Sequence, residues 1–198
     1  MPPPAARLAP AFFDRHTLAV ARGLLGCTLV HVDTEAGLVR RARIVETEAY
    51  VGQHDRASHS SKGRTNRTEA MFGPPGRAYM YLIYGMHWCF NVVTGPAGKA
   101  AAVLVRAGVP LENCDGHLSG PGAFSRGLHL TGRHYGLDLF GGALFLETRR
   151  DRPGRIVAAP RVNVDYAGSW ARKPWRFAID QEPAVSRPRP FRLGGRSV

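Results

Sequence analysis

The run Arg43-Ile44-Val45-Glu46-Thr47-Glu48-Ala49-Tyr50 constrains this chain more than any other segment. Its composition and alternation are those of a strand, and side chains two apart on a strand share a face. Ile44, Glu46, Glu48 and Tyr50 are therefore expected on one side, with Val45, Thr47, Ala49 and Val51 on the other. Carboxylates and an aromatic ring come to lie side by side. Further on, Tyr79-Met80-Tyr81-Leu82-Ile83-Tyr84-Gly85-Met86 puts Tyr79 and Tyr81 on one face and breaks at Gly85, before apolar residues resume from Trp88 to Val93. That pattern predicts a β-hairpin with Tyr84 at its tip.

Other strands are expected over 27–32 and 38–50 around the turn Asp33-Thr34-Glu35-Ala36-Gly37, and over 78–83, 88–93, 100–106, 144–147, 161–164 and 175–179. In the last, Trp175, Phe177 and Ile179 share a face. Asp14 is the expected N-cap of a short amphipathic helix with the stripe Leu18, Ala21, Leu24 and Leu25, ended by Gly26. Residues 52–76 are polar and read as a long functional loop with one helical turn over 68–71. The glycine-rich Ser119-Gly120-Pro121-Gly122 leads into a helix or irregular segment over 123–130. Neither an internal repeat nor a βαβ alternation is present, so the expected fold is a single α+β domain with a mainly antiparallel sheet flanked by helices. It is placed at 11–184, between a proline-rich N-terminus, 1–10, and a basic C-terminal tail, 185–198, both expected to be flexible.

The chain carries a net charge of +12, with 24 arginines against three lysines. Guanidinium groups match phosphate oxygens, so a polyphosphate or acidic partner is the natural one, although genomic composition also produces arginine excess. Three cysteines without CxxC spacing argue against a disulfide framework and a zinc knuckle, and fit a reducing cytoplasm. No apolar run approaches the about 18 residues of a membrane span, and no signal peptide is read at the N-terminus.

Glu48 is the candidate general base, since hydrolysis of an N-glycosidic bond needs a carboxylate to activate water and stabilise an oxocarbenium-like sugar. The alternative is a strand carboxylate paired with an arginine, and Glu46 has the same parity. Tyr50, His59 and Tyr81 are candidates to stack on a base withdrawn from a nucleic acid, a role for planar side chains worth about 1–3 kcal/mol per base. Tyr79 and Tyr81 serve equally well as buried strand aromatics. His54-Asp55 and His59 lack a third ligand at metal spacing. Arg106 ends an apolar strand and reaches either a phosphate, an acid or solvent. Gly120 lies where backbone amides would approach a phosphate, or where the chain simply turns.

In order and spacing these blocks resemble the alkyladenine (3-methyladenine) DNA glycosylase family, of the type first recognised in mammals and found in many bacteria. The resemblance runs through Arg43 to Tyr50, His59-Ser60, Asn66-Arg67, Met71-Phe72 and Pro75-Gly76. It continues through Tyr79 to Asn91, Val103-Leu104-Val105-Arg106, Ser119-Gly120-Pro121, Arg161-Val162 and Trp170-Ala171-Arg172-Lys173-Pro174. It implies a curved antiparallel sheet with a protruding hairpin, and a monofunctional glycosylase of base excision repair. Such an enzyme flips out alkylated or deaminated purines (3-methyladenine, 7-methylguanine, hypoxanthine, ethenoadenine) and leaves an abasic site.

By that resemblance Glu48 activates the water and Arg106 helps hold it and the nucleotide's phosphate. The base lies between Tyr50 and His59 with Tyr81, and Asn91 sits at the pocket floor. Tyr84 wedges into the duplex, with Met86, Arg67 and Gly120 also facing DNA. No cofactor or metal is implied; the expected partner is damaged double-stranded DNA, met as a monomer in the cytoplasm at the nucleoid. Ala123-Phe124 departs from the lysine and leucine usual in the family, which removes a contact expected there. The rival readings are a nucleic-acid-binding module without catalysis, in which a carboxylate facing phosphates would weaken association, and a metal-dependent phosphohydrolase.

Overall fold

The computed structural model describes residues 5–190. Its elements are α1 (Pro10–Phe13), α2 (Thr17–Leu24), β1 (Thr28–Asp33), β2 (Leu38–Tyr50), β3 (Ala78–Ile83), β4 (His87–Thr94), β5 (Ala101–Glu112), α3 (Pro121–Gly127), β6 (Phe140–Gly141), β7 (Leu144–Glu147), β8 (Ile156–Ala159) and β9 (Arg176–Ile179). The strands form one antiparallel sheet in the order β3-β4-β5-β2-β1-β7-β6, with β9 and β8 branching from β2. This sheet curls into a half-barrel, as the α+β expectation required.

β2 organises the sheet. β5 lies along one of its edges, while the other is shared by β1 over residues 38–43 and by β9 over residues 46–48. The ladder to β5 is irregular at the exchange point: Ile44 faces Gly108, Glu46 faces Ala107 and Thr47 faces Val105. Val45 on β2 and Arg106 on β5 are each left without a partner, and bulges of this kind bend a strand and re-aim its side chains. Ile44 consequently joins Val45 and Ala49 in the hydrophobic core. The expectation that it shares a face with Glu46 fails there, because a bulge breaks the period of two. α2 packs on this stretch through Val20, Ala21 and Leu24, with Thr47 Oγ1 donating to the Ala21 carbonyl at 3.0 Å.

Three local expectations are corrected. Asp14 does not cap α2; its backbone N–H closes α1, and His16 Nδ1 accepts from the Leu18 N–H at 3.3 Å instead. No strand forms over 161–164, whose polar groups turn to Asp55, Ala49 and Glu48, so the expected ladder moves upstream to β8. Residues 52–76 bury more than expected: Met71 packs with Tyr79, Val93 and Ala102, and the loop contains 3-10 turns at His59–Lys62 and Glu69–Phe72. Within the segments expected to be loose, Leu8 bonds to the Leu146 carbonyl, and Val185 and Ser186 are buried. Residues 1–4 and 191–198 lie outside the described residues. Among the described residues no helix is long and apolar enough to cross a membrane.

Candidate active site

Between β2, the β3–β4 hairpin and the segment after Pro160 lies a cavity of about 290 Å³. Glu48 lines it and is fully buried; Glu46 does not line it. Three donors converge on the Glu48 carboxylate: the Val162 N–H at 2.8 Å and Arg106 NH1 at 3.3 Å on Oε1, and the Tyr50 hydroxyl at 2.9 Å on Oε2. Burial, followed by the neighbouring Glu48 charge, pushes the Tyr50 phenol well above its ordinary value, so it remains a donor. The carboxylate can thus hold a water molecule only in the space the cavity leaves open.

The walls are aromatic. His59 stands perpendicular to Tyr81, with ring centroids 4.5 Å apart at 87°, and His59 Nδ1 is 3.0 Å from the Tyr79 hydroxyl. Desolvation, reinforced by Arg67 and Lys62, lowers His59 to about 4. Burial pushes Tyr79 up to about 12, so a protonated phenol meets a neutral imidazole at neutral pH. The hydrogen-bond network then assigns Tyr79 as donor to Nδ1, with the ring proton on Nε2. Tyr50 is braced from behind by Arg161, whose guanidinium carbon lies 4.7 Å from its ring centroid. Arg161 in turn forms a fully buried ion pair with Asp55, NH2 to Oδ1 being 2.9 Å.

Asn91 lines the cavity and donates through Nδ2 to the backbone carbonyls of Tyr79 at 3.0 Å and Cys89 at 3.2 Å. At the mouth, Tyr84 is 80% exposed and Met86 71% exposed. Tyr84 and Gly85 have φ of 51° and 70°, and the Met86 N–H bonds to the Ile83 carbonyl at 3.0 Å, the pattern of a type I′ hairpin turn. A tyrosine in the left-handed region costs about 1–3 kcal/mol, a strain characteristic of functional positions. Arg67 sits 5.6 Å over the Tyr81 ring beside the same hairpin. Gly120, with φ of 106°, opens α3 next to Pro121, which lines the cavity. Phe124, where the family usually has leucine, is fully buried, and a Cβ at Gly108 would stand 2.7 Å from its ring; Ala123, where the family usually has lysine, is half-buried, and nothing in the structure explains the loss of the cation.

All four base-contacting candidates, with Glu48, Arg106 and Tyr84, line this one cavity; Met86, Arg67 and Gly120 are placed around it. His54 is drawn away to Trp170, 5.6 Å between centroids, and among the described residues no group of three or more metal-ligating side chains forms. Sequence reasoning missed the Val162 N–H, the Asp55–Arg161 brace and Tyr166, an exposed ring on the cavity rim. A backbone amide leaves no mark in a sequence. The brace joins residues 106 positions apart in the chain.

A buried carboxylate and guanidinium thus lie at the end of an aromatic slot, beside an exposed tyrosine at positive φ. The chain belongs to the methylpurine-DNA glycosylase family, whose model matches residues 11–183. It is accordingly a DNA glycosylase, a hydrolase of N-glycosidic bonds. Among relatives provisionally named 3-methyladenine DNA glycosylase, one from Anaeromyxobacter dehalogenans is 54% identical over 93% of this chain and 87% of its own. One from Myxococcus xanthus is 49% identical over 91% and 93%, and one from Legionella pneumophila 44% over 91% and 98%.

The depressed His59 pKa makes a pH prediction. A folded value of about 4 lies below the unfolded value near 6.5. The neutral ring therefore contributes stability that is full above about pH 6.5 and lost as pH falls toward 4. Between pH 7 and 4.5 the wild type is expected to lose on the order of 2 kcal/mol more than His59→Gln in urea unfolding. Parallel losses in the two proteins would exclude His59 as the source.

Proposed function

We propose that the protein excises alkylated or deaminated purines from duplex DNA, with Glu48 as the base that activates the attacking water. The observation that carries this reading is the convergence of three donors on a carboxylate exposed to nothing but the aromatic cavity. A damaged purine enters between Tyr50 and the His59–Tyr81 pair. Glu48 takes a proton from water as its oxygen attacks C1′, and the electron pair of the glycosidic bond leaves with the base. Arg106 holds the carboxylate and the water between them. None of the cavity-lining side chains carries a primary amine, which supports direct hydrolysis to an abasic site without a covalent imine. The neutral His59 and the two tyrosines favour electron-poor purines by stacking, so 3-methyladenine, 7-methylguanine, hypoxanthine and ethenoadenine are the proposed substrates.

Tyr84 fills the space the nucleotide vacates, while Met86, Arg67 and the start of α3 at Gly120 lie against the duplex. The +12 charge supports the attraction to phosphate. The protein is proposed to act as a monomer, without cofactor, in the cytoplasm at the nucleoid. The primary test incubates it with duplexes that each carry one lesion and scores strand breakage after alkali.

Glu48→Gln is expected to retain duplex binding and lose excision by about 10²–10⁴-fold, the usual worth of a positioned base. Near-normal release of hypoxanthine by this variant would remove Glu48 from the mechanism. Tyr84→Ala is expected to slow excision from duplexes roughly ten- to a hundredfold more than from single strands, since only the duplex requires an unstacking cost to be offset. Equal losses on both substrates would mark Tyr84 as structural.

Asn91 is proposed as the gate against normal guanine, whose exocyclic 2-amino group has to fit at the pocket floor. Its two backbone hydrogen bonds hold the amide rigid, and a rigid group excludes better than a mobile one. Asn91→Ser is expected to raise guanine release relative to hypoxanthine by about tenfold in single turnover. An unchanged ratio with a lowered melting temperature would leave Asn91 as a hairpin brace alone.

A further inference from the structure

Behind Glu48 lies a second set of buried polar groups that a base, a water and an arginine do not by themselves require. Glu46, Arg176 and Ser186 are 0%, 2% and 3% exposed, and Arg106 is 6% exposed. They come from β2, β9, the segment after β9, and β5. Each nitrogen of the Arg106 guanidinium meets a different oxygen: Nε meets Glu46 Oε1 at 3.1 Å, NH2 meets Ser186 Oγ at 3.1 Å, and NH1 meets Glu48 Oε1 at 3.3 Å. Glu46 Oε1 also lies 3.3 Å from Arg176 Nε, and Glu46 Oε2 accepts the Ser186 N–H at 2.8 Å. Arg176 reaches on to the Pro188 carbonyl.

Two carboxylates and two guanidiniums cancel in charge, which is the condition for burying them at all. Such a cluster is nevertheless costly to desolvate, and apolar side chains would fill the same space at lower cost. What it supplies is direction. A guanidinium is a rigid planar fork, so two of its nitrogens pinned by Glu46 and Ser186 leave the third only one orientation. That orientation is toward Glu48. The bulge that frees Arg106 from the β2–β5 ladder makes the pinning necessary, because no regular strand geometry aims its side chain.

We propose that Glu46 and Ser186 are positioning residues that aim Arg106 at Glu48, so that the segment Val185 to Pro188 is part of the catalytic apparatus. This rests on the reading of Glu48 as the base. Pinning keeps the guanidinium from swinging into a bidentate pair with Glu48, which would occupy the carboxylate lone pairs needed by water.

The test is single-turnover excision of hypoxanthine from a duplex across pH, on wild type, Glu48→Gln, Glu46→Gln and Ser186→Ala, below each protein's melting temperature. Glu48 is faced by Arg106, Tyr50, the Val162 N–H and Arg176, its partner in the β2–β9 ladder, with Tyr81 and Cys89 on the neighbouring strands and the Asp55–Arg161 pair behind Tyr50. Glu46 is faced by Arg106, Arg176 and Ser186. Removing the Glu46 charge leaves Glu48 as the carboxylate partner of Arg106 and Arg176, so Glu46→Gln is expected to lower the plateau rate and move the acid limb to lower pH.

Ser186→Ala keeps every charge and is expected to lower the plateau about tenfold with the acid limb in place and duplex affinity within about threefold. Should Glu46→Gln not fold, Ser186→Ala decides alone. A Ser186→Ala protein with wild-type rate and only a lower melting temperature overturns the proposal, while inert Glu48→Gln beside active wild type upholds the underlying reading. Wild type that releases no base overturns both.

Discussion

The contact of Arg106 with Glu48 is the interaction around which the rest of the structure is arranged. It joins β5 to β2 at the place where Val45 and Arg106 both drop out of the ladder. Without those two bulges the strands would keep strict alternation, and Arg106 would project wherever the pleat directed it. With them, a guanidinium turns into the polar cluster while Ile44, Val45 and Ala49 remain in the apolar core. The site is therefore cut into the middle of the sheet instead of lying on a loop above it. Rigid elements hold catalytic groups more closely than loops do.

The cavity is shaped by groups that cannot move independently. Its Tyr50 wall is backed by Arg161, which is itself held by Asp55 at the start of the long loop. Asp55 also accepts the Ala57 N–H at 3.1 Å and the Val51 N–H at 3.3 Å, so the loop that delivers His59 is tied to the end of the strand that delivers Tyr50. A loop of this length would otherwise be free to open and admit solvent. The hairpin carrying Tyr81 and Tyr84 is braced from the other side by Asn91. The tip is exposed, and there the backbone holds a tyrosine at positive φ, where glycine or asparagine is usual.

Much of this was legible in the sequence. The β2 strand, the hairpin and the places of Tyr81 and Tyr84 on it follow from period-two alternation and a glycine break, both local properties, whereas Asn91 was singled out only by the resemblance to the family. The amphipathic helix was legible too, although its cap was not. Asp14 and His16 are both able to cap, and only the turn that ends α1 at Asp14 decides between them. The expected strand over 161–164 failed for a different reason. Its residues do suit a strand, but Val162 gives its N–H to Glu48 and Arg161 gives its head to Asp55, so the tertiary site outbids the ladder.

Periodicity and motif order by themselves pointed to one antiparallel α+β unit with an acid beside an aromatic ring on one strand and a tyrosine at a hairpin tip. They did not distinguish Glu46 from Glu48, because alternation gives both the same parity. Only the tertiary structure decided that Glu48 opens on the cavity while Glu46 sits behind Arg106. It also decided that Ser186, in a stretch too polar and proline-rich to suggest burial, is drawn inside. The reason is that buried charges are placed by compensation, and their partners come from strands and segments that the sequence leaves far apart.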